Sequence, residues 1–278
     1  MFWQVTIWNL LNHRKEEVIK MAKKKRFVVF SRKAINNRMN QMRTRRDAII
    51  ADGVEKYHVR LMNGNSKTGI NCRTCSLIPG VDCVNCVGKD GVGCLYGGCY
   101  DIQNVCWLPD VQETRAINSA IHKENPERYW TEMAMQVRAQ FVTELRINVG
   151  GDLTNEDFFY IEDMGKENRN CHHLFFTKNY YGIAKFIEAC GGIENTQYFK
   201  NVHPVLSAWK GIKLYNPYNL PVAHVKFPNG DCTAEDWEPI YLCGGNCSEC
   251  FCHYANDNKK ESGCWGLKCG EGVLFDAH

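Results

Sequence analysis

Apolar and polar residues alternate in short blocks along this chain, and the period of the alternation changes from block to block. A period of two, typical of a half-buried strand, occurs in residues 56–62 and is closed by the turn-favouring Asn63-Gly64-Asn65. Further along, strand-length apolar blocks alternate with stretches of helical period. The pattern predicts strands over residues 56–62, 145–149, 174–176, 202–206 and 222–227, and helices over residues 32–50, 126–142, 155–166 and 181–190.

Strands that alternate with helices in this way predict a parallel sheet. We expect an α/β fold built as a full or partial (β/α) barrel, with a doubly wound open sheet as the alternative. In both architectures the carboxyl ends of the strands share one edge, where ligand sites collect. Gly150-Gly151-Asp152, Lys178 and Ser207 each follow or end a predicted strand. We therefore expect these residues to face one mouth.

Cysteine is the residue type that sets this chain apart, with 16 in 278 residues. All but Cys171 and Cys190 fall in two blocks, residues 72–106 and 232–269. The first residues do not resemble a secretory leader, and no apolar stretch approaches the roughly 18 residues that a membrane helix needs. We therefore expect a cytoplasmic protein without membrane contact, in which closely spaced thiols bind metal rather than form disulfides.

The first cysteine block lies in residues 71–110, which have no periodic pattern. A loop of this length in a compact domain needs something other than apolar burial to organise it. Two Cys-x2-Cys pairs have the spacing of a zinc ribbon, and three cysteines around an iron–sulfur cluster with one open iron fit equally well. Spacing alone leaves both open. The candidate ligands here are Cys72, Cys75, Cys83, Cys86, Cys94 and Cys99.

The second cysteine block follows the α/β repeats, in a tail over residues 231–278. Four closely spaced cysteines there would complete a closed zinc site or a second cluster that pins the tail. A closed site leaves no coordination position for a substrate. The candidate ligands are Cys243, Cys247, Cys250 and Cys264.

Positive charge is concentrated near the start of the chain, with thirteen Lys and Arg residues in residues 14–46. We interpret residues 1–55 as a solvated basic arm, because no nucleic-acid-binding motif accompanies the charges. Contact with nucleic acid through residues 14–46 is the alternative. Residues 1–20 form a candidate start-site extension, since Met21 opens an ordinary protein start. An α/β barrel-like domain is expected over residues 56–230.

Several short motifs occur in a fixed order over roughly residues 60–278. They are Asn65-Ser66-Lys67-Thr68-Gly69, Leu77-Ile78-Pro79-Gly80, Cys99-Tyr100, Arg146 to Asp152, Phe175 to Asn179, Asn201 to Ser207, and Gly272-Val273-Leu274-Phe275. Their order resembles the phage "gene product 88" domain family, and this resemblance implies a phage or prophage protein acting in a bacterial host cell.

That family in turn is similar in layout to radical S-adenosylmethionine enzymes. The resemblance implies that Cys83, Cys94 and Cys99 hold a [4Fe–4S] cluster. It also implies that Asp152 lies near the methionyl amine of S-adenosylmethionine, with Lys178 or Ser207 near its carboxylate or ribose.

The predicted function is therefore that of an iron–sulfur enzyme with a reductant protein as partner. Its substrate is not indicated by any residue pattern. A zinc-stapled nucleic-acid-binding protein without catalytic activity is the alternative.

Overall fold

The computed structural model describes residues 30–65, 68–104, 108–227, 230–234, 240–258 and 261–276. The candidate start-site extension and the basic arm before residue 30 lie outside these ranges. Eight helices are described: α1 (Arg32–Asp52), α2 (Gly93–Gly98), α3 (Tyr100–Asn104), α4 (Pro109–Glu124), α5 (Pro126–Ala139), α6 (Asp157–Glu167), α7 (Tyr180–Ala189) and α8 (Cys247–Ala255). Seven strands are described: β1 (Arg73–Thr74), β2 (Glu144–Ile147), β3 (His172–Thr177), β4 (Val202–Ser207), β5 (Val222–Lys226), β6 (Ile240–Leu242) and β7 (Gly272–Asp276).

The seven strands form one sheet in the order β1-β2-β3-β4-β5-β7-β6, and every neighbouring pair is parallel. The α/β class with a parallel sheet is therefore confirmed. Among the described strands, β1 and β6 are the two edges of the sheet. The tail contributes β6 and β7, so it is part of the same sheet as the preceding repeats.

The first strand lies later in the chain than the sequence pattern predicts. Residues 56–62 do not form a strand. The backbone N–H of Val59 donates to Glu132 Oε2 at 2.9 Å, and that of Arg60 donates to Asn118 Oδ1 at 2.9 Å. Side chains of α5 and α4 thus take the place of a neighbouring strand, and the prediction of a strand here is wrong.

The larger apolar core lies between one face of the sheet and helices α5, α6 and α7. Strand side chains alternate between faces, so Phe175 of β3 points into this core while Leu174 points to the other face. Phe175 packs against Phe158 of α6, and Phe158 packs in turn against Phe186 of α7. This layer leaves the carboxyl edge of the sheet to the connecting loops.

The tail covers the opposite face of the sheet. Trp265, from a short 3₁₀ turn after α8, packs on His203 of β4. His172 of β3 contacts Phe251 of α8, and its Nδ1 lies 2.9 Å from His203 Nε2. Both faces of the sheet are therefore covered, as parallel sheets require.

A third, smaller core joins α1 to the cysteine-rich loop. Ile35 and Met42 of α1 are buried against Ile78, Leu95 and Ile102. The loop predicted to lack regular structure contains α2 and α3, and α1 covers it while packing along α4. The helix predicted over residues 32–50 is confirmed as α1.

Candidate functional site

The candidate site lies where the carboxyl ends of β1, β2 and β3 meet the cysteine-rich loop. In a parallel sheet these ends share one edge, so the loop after β1, the turn after β2 and Lys178 after β3 are neighbours. Asn85 of the loop donates its side-chain N–H to the carbonyl of Lys178 at 2.9 Å. This hydrogen bond ties the cysteine-rich loop to the end of β3, at the edge where the sequence predicts a mouth.

The turn after β2 is fastened to the start of the cysteine loop by backbone hydrogen bonds. Leu77 N donates to Gly150 O at 2.9 Å, and Asp152 N donates to Asp82 O at 2.9 Å. A side chain at Gly150 would overlap Oδ2 of Asp101 and lie 2.8 Å from Nη1 of Arg115, two residues that form a buried ion pair. Glycine is favoured here because a Cβ would run into the side chains of this ion pair.

Asp152 is buried and already engaged within the protein. Its carboxylate accepts hydrogen bonds from the Thr177 hydroxyl at 2.6 Å, from Lys178 N at 2.9 Å and from Leu153 N at 2.8 Å. Burial raises the pKa of Asp152 above its ordinary value, and the charge of Lys178 opposes that rise. A carboxylate offers about four acceptor positions, so one remains for a further donor.

Lys178 is held as a cation in this setting. Burial lowers its pKa, but electrostatic interaction with Cys94 and Asp152 raises it above the ordinary value overall. Tyr180 also lies in electrostatic reach of Lys178 and donates its hydroxyl to the carbonyl of Ser207 at 2.6 Å. Tyr180 thus connects the ends of β3 and β4, a role that no sequence pattern around it signalled.

Four thiols of the first block gather beside Lys178 and Asp152. Gly80 N donates to Cys83 Sγ at 3.1 Å, and Cys94 Sγ donates to Cys86 O at 3.4 Å. Cys83 lies close enough to Cys94, Cys99 and Asp152 for these groups to interact with it electrostatically.

The acidities of these four thiols differ. A hydrogen bond with Cys83 lowers the pKa of Cys86 to about 7, and the same bond raises the pKa of Cys83. Burial raises the pKa of Cys94, and it raises that of Cys99 to about 12. Cys86 is therefore the thiol of this group that ionises most readily.

Cys72 and Cys75 flank β1 and belong to opposite sides of the sheet. Cys75 is buried in the core beneath the helices, where burial raises its pKa to about 11. Cys72 is buried in the core beneath the tail and lies in electrostatic reach of Cys247. Neither joins the four thiols at the mouth, and the Cys-x2-Cys spacing gave no sign of this separation.

The four cysteines predicted in the tail lie together on the other face of the sheet. Cys264 is in electrostatic reach of Cys243, Cys247 and Cys250. Arg146 of β2 donates from Nη1 to Cys247 Sγ at 3.4 Å, so this group reaches a strand of the central sheet. As they stand, no three His, Cys, Asp or Glu side chains within the described ranges converge closely enough to hold a metal ion.

The described cysteines form no disulfide bonds, and no helix in the described part of the chain has the length and apolar character to cross a membrane. Described arginines of the basic region are partly engaged inside the protein. Arg38 donates to Ile102 O at 2.6 Å, and Arg46 forms an ion pair with Asp82 at 3.4 Å. No family model, curated protein or solved structure matches the chain.

Proposed function

We propose that this protein is an iron–sulfur enzyme similar to radical S-adenosylmethionine enzymes, with Cys83, Cys94 and Cys99 as the ligands of a [4Fe–4S] cluster. The observation that carries the proposal is the gathering of these thiols with Lys178 and Asp152 at the carboxyl edge of a parallel sheet. Ligand sites of α/β proteins lie at this edge. The sequence resemblance described above points to the same residues.

The donor set suits such a cluster in kind. Thiolates are the ligands that hold iron–sulfur clusters, and three thiols on one loop leave one iron without a protein ligand. When bound, the cluster would supply an electron and a coordination position for S-adenosylmethionine. Cys86 has the lowest pKa of the four thiols, so it is the alternative ligand that we would test first.

The residues around the thiols have separate tasks in this proposal. Lys178 presents a cation to the carboxylate of S-adenosylmethionine, a charge-assisted pairing. Asp152 acts mainly as a positioning residue, because three of its acceptor positions hold the turns after β2 and β3. Its remaining position suits one N–H of the methionyl ammonium.

A partial (β/α) barrel is the proposed form of the sheet. Strands β1 to β5 follow each other in chain order, as in a barrel, and helices α5 to α7 cover one face. The face beneath the tail would then be the concave one. A cytoplasmic setting in a bacterial host, with a low-potential reductant protein as partner, belongs to the same proposal.

Metal analysis of protein purified without oxygen tests the cluster. We expect a brown protein with broad visible absorption and with iron and sulfide in equal amounts. Cys83→Ala, Cys94→Ala and Cys99→Ala should each lose most of the iron, whereas Cys190→Ala, at the end of α7, should retain it. Unchanged iron in the three variants would contradict the ligand assignment.

Binding of S-adenosylmethionine is tested separately by equilibrium dialysis. Lys178→Met should weaken binding at least tenfold, about 1.4 kcal/mol, because a buried charge pair is lost. Lys185→Met, an exposed lysine on α7, is the matched control and should bind normally. Equal affinity in both variants would remove Lys178 from the site.

A colourless protein that contains only zinc would instead favour the alternative, a zinc-stapled nucleic-acid-binding protein. The engagement of Arg38 and Arg46 within the fold reduces the positive surface that such a protein needs. Titration of the purified chain with a labelled duplex at two salt concentrations separates the cases, since phosphate contacts weaken steeply with salt.

A further inference from the structure

The tail holds a second group of thiols, on three segments that contact one another. Cys247 and Cys250 lie three residues apart in the first turns of α8, so they share one side of that helix. Asn246 caps the helix by accepting a hydrogen bond from Glu249 N at 3.2 Å. This pair is therefore presented by a defined helix start.

The segments that carry the other two cysteines approach the same side of α8. Gly263, next to Cys264, lies so near that a Cβ added to it would be 2.8 Å from Cys250 Sγ. Tyr241, two residues before Cys243, has its hydroxyl 3.9 Å from Cys250 Sγ. The segments that carry Cys243 and Cys264 thus meet at Cys250.

The guanidinium of Arg146, a half-buried residue of β2, faces this group. The guanidinium of Arg146 lies 4.0 Å above the ring of Phe176, and Nη1 reaches Cys247 Sγ at 3.4 Å. Its buried Nε has no hydrogen-bond partner within the described residues. A charge placed in such surroundings is costly unless it is paired.

We propose that Cys243, Cys247, Cys250 and Cys264 bind one Zn²⁺ ion in a closed tetrahedral site. On binding, the four thiols release four protons to solvent and four zinc–sulfur bonds form, with no change of oxidation state. The resulting site carries a net charge of about −2, from four thiolates and one divalent ion. The guanidinium of Arg146 then lies beside a negatively charged site.

A single ion fits this space better than a cluster. The sulfur of Cys250 is already close to the backbone of Gly263, which limits the separation between α8 and the 3₁₀ turn. Rotation of the cysteine side chains between staggered rotamers is needed to bring the sulfurs together. The Sγ of Cys72 donates to Arg73 O at 3.6 Å, so we leave Cys72 outside the proposed ligand set.

The consequence is a fastening of the tail that is independent of the mouth. Four protein ligands complete the coordination of zinc, so this site binds no substrate. Zinc would link the end of β6 to α8 and to the turn at Trp265, and these last two segments cover one face of the sheet. The inference does not rest on the proposed iron–sulfur function.

The test is zinc analysis and zinc X-ray absorption of the purified full chain. We expect one zinc per chain with four sulfur ligands at about 2.3 Å. Cys250→Ser and Cys264→Ser should lower zinc at least tenfold while leaving iron unchanged. Cys72→Ser and Cys252→Ser are the matched controls and should retain zinc. Absence of zinc from the wild-type chain, or fewer than four sulfur ligands, would overturn the proposal.

If the cysteine variants fail to fold, a variant that keeps all four thiols provides a second test. Arg146→Met keeps all thiols, and we expect zinc to be lost to a competing chelator about tenfold more readily, because one charge-assisted hydrogen bond is removed. Arg169→Met, an exposed arginine, should match the wild type. Equal zinc affinity in Arg146→Met and wild type would contradict the role of Arg146. Loss of iron rather than zinc in Cys250→Ser would show that the tail holds a cluster instead.

Discussion

The hydroxyl of Thr177 donates a hydrogen bond to Oδ1 of Asp152 at 2.6 Å and so joins the end of β3 to the turn after β2. The other carboxylate oxygen accepts from the backbone of Lys178. One buried side chain thus sets the relative position of two turns at the candidate mouth. Its primary effect is on geometry and stability, and any effect on ligand binding follows from that.

Replacement of Asp152 should therefore destabilise the fold itself. Asp152→Ala removes three hydrogen bonds and leaves buried donors without acceptors, so we expect a loss of about 3 kcal/mol or more in the free energy of unfolding. Thr177→Val removes one of these bonds and also the bond that its hydroxyl accepts from Asn179 N at 2.9 Å, so it should cost about 2 kcal/mol. Urea unfolding of the metal-free chain measures both. An Asp152→Ala variant as stable as wild type would show that the carboxylate does not brace the turns.

A methyl group at Gly150 should disturb the loop contact beneath the mouth. Gly150→Ala would push against the buried Asp101–Arg115 pair, and overpacking of this kind costs about 1–3 kcal/mol. Gly244→Ala is the matched control, because a Cβ there meets nothing within 4 Å. Thermal unfolding compares the two variants. Equal melting temperatures would mean that the loop moves aside at no cost.

Stability should depend on pH through the buried pair of His122 and Asp157, whose Nε2 and Oδ1 atoms lie 2.7 Å apart. Burial lowers the pKa of His122, but Asp157 raises it overall above the ordinary 6.5. A raised pKa in the folded state means that the pair stabilises fully below pH 6.5. This contribution is lost as the pH rises through the folded-state pKa.

His122→Gln should remove that part of the pH dependence. We expect the wild type to lose about 1 kcal/mol more stability than the variant between pH 6 and pH 9, the size of one buried hydrogen bond to a charged group. Urea unfolding at a series of pH values measures the difference. Parallel pH profiles for the two proteins would show that His122 remains neutral in the folded state.

The small core beneath α1 should control the order of the cysteine-rich loop. Met42 is buried against this loop, so Met42→Ala should cost about 2–5 kcal/mol. Loop cleavage by a protease should also become faster. Met135→Ala is the matched control, since Met135 is 62% exposed on α5 and should change stability by less than about 0.5 kcal/mol. Equal protease resistance of the Met42→Ala variant and the wild type would show that α1 does not control the order of the loop.

The sequence pattern predicted the central strands correctly because the apolar residues there are also the ones whose side chains are buried. Strands at residues 145–149, 174–176, 202–206 and 222–227 correspond to β2, β3, β4 and β5. The parallel arrangement followed from their alternation with helices. The mouth residues Lys178 and Asp152 could be placed together by the same rule, since the rule depends on strand order alone.

Other parts were hidden by polar residues in buried positions. Helix α4 was missed because its buried positions include Thr114, Arg115, Asn118 and Ser119, which break the apolar stripe of an amphipathic helix. Strands β6 and β7 were missed because their short apolar runs lie among cysteines and glycines. The separation of Cys72 from Cys83 depends on which face of the sheet each side chain meets, and spacing carries no such information.

The position of β7 within the sheet has a consequence for the order of folding. Among the described strands, β6 pairs only with β7, which itself lies between β5 and β6. During synthesis β6 leaves the ribosome first and has no sheet neighbour until residues 272–276 follow. The edge of β5 that pairs with β7 also waits over the same interval, so β5, β6 and β7 come together only after β7 has been made.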